Sequence, residues 1–303
     1  MKLNPIPNSD LNVSLICLGT MTYGTPVKEN DAIELTHWAI DHGINFIDTA
    51  NMYEGYTRTI GSAGGVSEEI LGKALKVKRD QVVLATKVGM KIGPNDNDEG
   101  LSRAHVLREI DRSLKRLQSD HVDLYYMHKP DPKTPIAESV EVFNDLITVG
   151  KARYWGISNF SAAQISELLL VCDENGWQRP VILQPPYSLL KRDIEADILP
   201  LCEKEQIAVA PYQVLQGGLL TGKYQRGEEP VLDSRQVQKP EWTMALNDDM
   251  FNQLETLQAD AKAKDRTLMQ HALLSLLEQP AVVSLVVGVK RIDQIDELIQ
   301  AVQ

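Results

Sequence analysis

An aspartate, a tyrosine, a lysine and a histidine stand out because each falls at or just after the end of a short apolar run. Asp48 ends Ile44-Asn-Phe-Ile-Asp48, and Tyr53 follows five residues later. Lys87 lies near the end of Val82-Val-Leu-Ala-Thr-Lys-Val88, and His128 closes Val122-Asp-Leu-Tyr-Tyr-Met-His128. A free phenol, with a pKa of about 10, is a poor acid at neutral pH. A nearby ammonium favours its ionised form, and a carboxylate paired with that ammonium keeps it charged and oriented. Asp48, Lys87 and Tyr53 brought together would therefore be a tuned proton donor. His128 would add a group that positions a carbonyl oxygen against the phenol. A positioned general acid is worth about 10²- to 10⁴-fold in rate. Taken singly, each has an ordinary reading: a helix-capping aspartate, a surface tyrosine, a snorkelling lysine, a loop histidine. The chemistry depends on whether the fold brings them to one place.

The intervening sequence supplies that fold. Apolar runs end near Gly19, Asp48, Val88, His128, Ser158, Gln184, Ala210 and Gly288, and segments with helical periodicity separate them. Helices are expected over 30–42, 67–75, 102–117, 136–149, 194–205, 248–264, 267–278 and 292–302, with a further helix opened by Ser161 and with Ser67 as a cap. A short hairpin over 2–18 comes first. Eight strands alternating with helices predict a (β/α)8 TIM barrel, an α/β fold. The hairpin precedes it, and an extra helical segment lies in the loop after the seventh strand. No linker or low-complexity stretch divides residues 1–303, so a single barrel domain is expected. In such barrels the functional residues gather at the C-terminal ends of the strands. That rule draws Asp48, Lys87, His128, Ser158, Asn159, Gln184 and Gly288 to one mouth.

Composition narrows the function. Lys plus Arg total 31 against 42 Asp plus Glu, a net charge of −11 that disfavours nucleic acid as a partner. Three scattered cysteines, Cys17, Cys172 and Cys202, suit reduced thiols rather than a disulfide framework or a zinc site. The N-terminus has no apolar signal core, and no run approaches membrane-spanning length. A cytoplasmic protein with no membrane partner and no metal is expected. Gly217-x-x-x-x-Gly222-Lys223 is a near miss to a phosphate-binding loop, but Tyr224 stands where a Ser or Thr would hold magnesium.

Asp48, Tyr53, Lys87 and His128 resemble, in order and structural position, the Asp/Tyr/Lys/His tetrad of the aldo-keto reductase superfamily. Leu18-Gly-Thr-Met21, Ser67-Glu-Glu-Ile-Leu-Gly-Lys-Ala-Leu75, Gly156-Ile-Ser-Asn-Phe160, Gly217-Gly-Leu-Leu-Thr-Gly-Lys-Tyr224 and Gly288-Val-Lys-Arg-Ile-Asp-Gln294 extend the likeness over nearly the whole chain. It is strongest to the bacterial branch that also resembles voltage-gated potassium-channel β subunits. The resemblance implies reduction of an aldehyde or ketone, a small-molecule carbonyl substrate, by NADPH rather than NADH, with Tyr53 as the acid. It implies that Ser158, Asn159 and Gln184 hold the nicotinamide carboxamide and that Tyr187 stacks on its ring. Leu219 and Gly222 would lie over the pyrophosphate, while Gly288, Lys290 and Gln294 would meet the adenosine 2′-phosphate and adenine. Gly19, Thr20 and Met21, together with Tyr212, Gln213, Leu215 and Lys223, complete the implied cofactor site.

Four departures matter. The 54–66 link is longer than the family usually carries. Gln213 stands in Tyr212-Gln-Val-Leu215 where Ser is usual. Lys290 stands where Arg is common, keeping the charge but losing the bidentate fork. Leu298 stands where an adenine-binding Asn is usual. The chain also stops just after the last helix, which implies an open substrate pocket shaped by Tyr23, Met52, Tyr56 and Trp242. Two other functions are compatible with these residues: a cofactor-binding regulatory subunit with slow turnover, and an unrelated barrel using Lys87 as a Schiff-base amine. Homo-oligomerisation is left open.

Overall fold

The apolar runs become strands because both of their faces are covered, one by the barrel interior and the other by helices. The computed structural model describes residues 1–303. An antiparallel hairpin, β1 (Leu3–Pro5) and β2 (Asn12–Ser14), precedes eight parallel strands. These are β3 (Ile16–Gly19), β4 (Phe46–Asp48), β5 (Val83–Val88), β6 (Val122–Met127), β7 (Ala152–Ser158), β8 (Ile182–Gln184), β9 (Ala208–Val209) and β10 (Leu285–Gly288). Their order in the sheet is β10-β3-β4-β5-β6-β7-β8-β9. Val209 bridges Val282 in parallel, and the Val286 N–H donates to Pro211 O at 2.9 Å, so the two ends of the sheet meet. This is the expected (β/α)8 fold.

The core has two main parts. A cluster of 55 buried residues lies between strands and helices, from Ile16 to Val302. A second cluster joins Ile6, Leu11 and Val13 of the hairpin to Cys17, Phe46, Val83, Leu124 and Tyr126. The hairpin thus closes the barrel at the start of the strands and leaves the opposite end free. The chain contains no helix long and apolar enough to cross a membrane.

The helices are α1 (Glu29–Asp41), α2 (Val66–Leu75), α3 (Arg103–Leu117), α4 (Ile136–Thr148), α5 (Ala162–Asn175), α6 (Ile198–Lys204), α7 (Arg235–Gln238), α8 (Asp248–Ala263), α9 (Leu268–Leu277) and α10 (Ile292–Ala301). The short α7 and the longer α8 form the expected addition between β9 and α9. Ser161 makes a full capping box with Gln164 at the start of α5. Ser67 does not cap α2. That helix starts after left-handed Gly65 (φ 87°), and Ser67 lies inside it with its hydroxyl 2.7 Å from Thr20 Oγ1. The expected helix over 194–205 opens instead with a 3-10 turn at Asp193–Glu195 and becomes regular only at Ile198.

Candidate active site

Parallel register brings the four candidate catalytic groups together. Asp48 is the last residue of β4, Lys87 the penultimate residue of β5, and His128 follows β6, its N–H donating to Val88 O at 2.8 Å. The turn that carries Tyr53 is pinned by backbone bonds from Thr49 N to Ala85 O, from Asn51 N to Lys87 O and from Tyr53 N to Ala50 O. Lys87 Nζ donates to Asp48 Oδ2 at 2.6 Å, to Thr49 O at 2.8 Å and to Tyr53 Oη at 3.3 Å. The His128 ring stands edge-on to the Tyr53 ring, with centroids 5.9 Å apart. Neither His128 nitrogen has a partner in the protein, and Nδ1 is buried.

Burial sets the protonation states. Lys87 is fully buried and Asp48 is 2% exposed. Burial alone would lower the Lys87 pKa, but Asp48 and then Tyr53 outweigh it, so the ammonium is held above its usual value. Burial also pushes the Tyr53 phenol up, and Lys87 offsets only part of that rise. The expected shift towards phenolate is therefore not what this arrangement produces; Tyr53 stays protonated at neutral pH. His128 is held well below the usual imidazole range by burial, then by Lys87, Lys129 and Arg58, and is neutral. A charged Lys87 clamped to a carboxylate also lacks the free amine a Schiff base needs.

A hydrogen-bonded chain continues from Asp48 around the mouth. Gln184 Nε2 donates to Asp48 Oδ1 at 2.9 Å, and Ser158 Oγ donates to the Gln184 carbonyl at 2.7 Å. Asn159, left-handed at φ 65°, sends Nδ2 to Ser158 Oγ and to His128 O. Tyr212 Oη donates to Asn159 Oδ1 at 2.8 Å. Sequence placed all of these residues at the mouth except for the role of Tyr212. It was Tyr187 that was expected to offer its ring there, yet Tyr187 is 1% exposed and its hydroxyl donates to Glu195. Tyr212, half-buried beside Asn159 and close enough to Tyr53 and Lys87 for their charges to act on it, is the tyrosine that lies at the mouth.

The surroundings suit a dinucleotide. Gly19 and Gly288 face each other across β3 and β10 at the strand ends, leaving bare backbone between them. Thr20, buried, ties its hydroxyl to Asp48 O, and Met21 is half-exposed beside it. After β9 the chain folds back through left-handed Gln213, Gln216, Gly217 and Gly218, with Gly222 left-handed at the end of the turn. Lys223, Arg235, Lys290 and Arg291 gather nearby around Asp233, and Arg291 also pairs with Asp293 at 2.9 Å. Burial first, then Arg235, Lys223 and Arg291, lower the Lys290 pKa against Asp233. Four cations to two acids, with Arg291 shared between Asp233 and Asp293, is a donor set that fits phosphates. Lys290 Nζ meets Gln238 Oε1 at 2.7 Å, and Gln294 Oε1 accepts from Lys290 N at 2.8 Å. Leu215 is half-buried against the core.

Other expectations need correction. Tyr23 does not line a pocket: it is fully buried, with its hydroxyl 2.8 Å from Thr36 Oγ1 on α1. The Leu219 side chain packs with Met250, Leu254 and Ala272, so only its backbone is left to serve a ligand. Leu298, from which no adenine contact is expected, belongs to the core. Met52 is half-exposed beside Tyr53. Tyr56 and Trp242 meet edge to face at 5.5 Å, and Arg235 Nε donates to Tyr56 Oη at 3.2 Å. Sequence reading missed Glu109, fully buried on α3, which accepts from Asn51 Nδ2 at 3.4 Å and from Arg112 at 2.9 Å. Its signal was a carboxylate three residues after Val106 in the apolar stripe. No group of three His, Cys, Asp or Glu side chains is placed to hold a metal.

Comparison with known proteins agrees with this fold. Residues 15–303 match the Aldo/keto reductase family. A probable voltage-gated potassium channel subunit beta of Arabidopsis thaliana is 36% identical over 310 residues, covering 100% of this chain and 91% of the relative. Aldo-keto reductase YhdN of Bacillus subtilis is 35% identical, covering 98% of this chain and 88% of its own. The solved holo form of aldo-keto reductase AKR11C1 from Bacillus halodurans superposes with a TM-score of 0.81 at 30% identity, covering 100% and 91% of the two chains.

Proposed function

The chain belongs to the aldo/keto reductase family, and on that premise we propose that it is an NADPH-dependent reductase of aldehydes or ketones, working as a single cytoplasmic barrel domain. One observation carries the reading: at the open end of the barrel a buried ammonium touches both a buried carboxylate and a phenol. A bound nicotinamide supplies the hydride. The protein's part is to hold the carbonyl and deliver the proton. Neutral His128 offers an N–H to the carbonyl oxygen without adding charge, and Tyr53 Oη donates the proton as that oxygen gains negative charge. Lys87 stabilises the phenolate left behind, so its 3.3 Å contact strengthens as the proton moves. Asp48 keeps Lys87 charged and directed at the phenol. Gln184, Asn159 and Ser158 would hold the carboxamide, with Tyr212 against the ring and Lys290, Lys223 and Arg291 at the phosphates.

Tyr53→Phe tests the assignment. Steady-state reduction of a small aldehyde should fall by about 10²-fold or more while NADPH still quenches the protein fluorescence. Near wild-type turnover would refute it. NADPH binding no tighter than NADH would refute the role of the cationic cluster. A second reading, a cofactor-binding regulatory subunit, draws on the plant relative's description as a channel β subunit. Rapid multiple turnover would count against it, and a single slow oxidation of retained cofactor would favour it.

A further inference from the structure

The long 54–66 loop places a second set of charges next to the proton site. Arg58 is only 12% exposed, and its guanidinium is spent on oxygens that carry no charge. Nη1 donates to Ser62 O at 3.0 Å and to Ser62 Oγ at 2.6 Å, and Nη2 donates to Lys91 O in the loop beyond β5. Its nearest carboxylate, Glu54, stands 3.9 Å away and is already taken by the Ser62 hydroxyl and the Gly64 N–H. A guanidinium has five N–H donors, so two remain open, and its one ion pair is the long 3.9 Å contact to Glu54. Lys129, half-buried directly after His128, has no ion-pair partner at all. Both lie near enough to His128 for their charge, together with that of Lys87, to depress its protonation. Elsewhere the chain is acidic, so this local excess of positive charge runs against the overall balance of −11.

We propose that the carbonyl compound reduced here carries a small oxyanion, a carboxylate or a phosphate, and that Arg58 reads it with Lys129 as the second cation. The planar fork of Arg58 suits two oxygens of either group. Its anchoring to Lys91 O and Ser62 limits the rotamer freedom lost on binding. Glu54, holding Ser62 and Gly64, is the positioning residue of the loop. The inference rests on the reductase reading and narrows it to a substrate class.

The experiment compares kcat/KM for matched pairs: succinate semialdehyde against pentanal, and glyceraldehyde phosphate against glyceraldehyde. The anionic member of at least one pair should be favoured by about 10- to 100-fold, the range a charge-assisted bidentate contact supports. Whichever pair shows the preference identifies carboxylate or phosphate. Raising the salt from 0.05 to 0.5 M should shrink that ratio, roughly as screening of a partly exposed charge requires. Arg58→Met should bring the ratio close to one, Arg58→Lys should restore part of it, and Lys129→Met should reduce it with the loop left intact. Ratios near one in the wild-type protein, or a ratio untouched by both Arg58→Met and Lys129→Met, would overturn the inference while leaving the reductase standing. No turnover of any aldehyde would overturn the reductase reading, and this inference with it.

Discussion

Replacing Lys87 with methionine separates charge from packing at the centre of the site. Methionine approximates the lysine stem in volume, so the packing change is small, below about 1.5 kcal/mol. The electrostatic change is large. Asp48, 2% exposed, loses a counter-ion at 2.6 Å and keeps only the Gln184 amide at 2.9 Å. An uncompensated buried charge costs about 3–5 kcal/mol. Thr49 O loses its 2.8 Å donor and adds about 1 kcal/mol. The predicted loss is therefore about 4–6 kcal/mol, read from urea unfolding followed by circular dichroism. Asp48→Asn together with Lys87→Met removes both charges, and the double variant should recover at least about 2 kcal/mol of the sum of the single losses. Single-turnover reduction should fall by about 10²- to 10⁴-fold in both, because Tyr53 loses the ammonium at 3.3 Å. If the two single losses add to within about 0.5 kcal/mol, the residues do not act as a pair and the reasoning fails.

Two further outcomes follow from burial. Below pH about 6.5 the unfolded chain takes up a proton that the buried, depressed His128 refuses, so stability falls with falling pH by up to about 1.4 kcal/mol per unit. His105, lowered first by burial, adds to the same slope, and Tm measured from pH 7.5 to 5 should show a smaller drop in His128→Gln than in wild type. Gly72→Ala should destabilise by about 1–3 kcal/mol or more in the same unfolding assay, because a Cβ there would lie 2.2 Å from Arg116 O, where α2 and α3 touch.

The barrel was legible because its strands are short apolar runs with a polar residue at the end, and alternation with helices leaves little freedom in how they are arranged. The tetrad was legible for the same reason: Asp48, Lys87 and His128 lie at or just past the C-terminal ends of successive strands. What escaped depended on side-chain direction. Tyr187 and Tyr212 both follow strands by a few residues, and nothing in their spacing says that one turns onto Glu195 and the other onto Asn159. Ser67 looked like a cap because it precedes an acidic pair, yet left-handed Gly65 starts the helix earlier and turns the hydroxyl inward. Tyr23 follows a strand end too, but a partner on α1 draws it into the core. The phenol's protonation was misjudged because a sequence shows the ammonium but not how far burial works against it.

The bonds linking Tyr212, Asn159, Ser158, Gln184, Asp48 and Lys87 begin and end on residues at or just beyond strand termini. The long loops hang outside that ring. Evolution can therefore lengthen or reshape the loops beyond Tyr53, after β5 and beyond Tyr212 while the strand-end framework that holds Asp48, Lys87 and Gln184 keeps its form. A designer has the same freedom. Grafting a relative's 54–66 loop onto this frame changes which molecules are admitted while the machinery that acts on them stays in place.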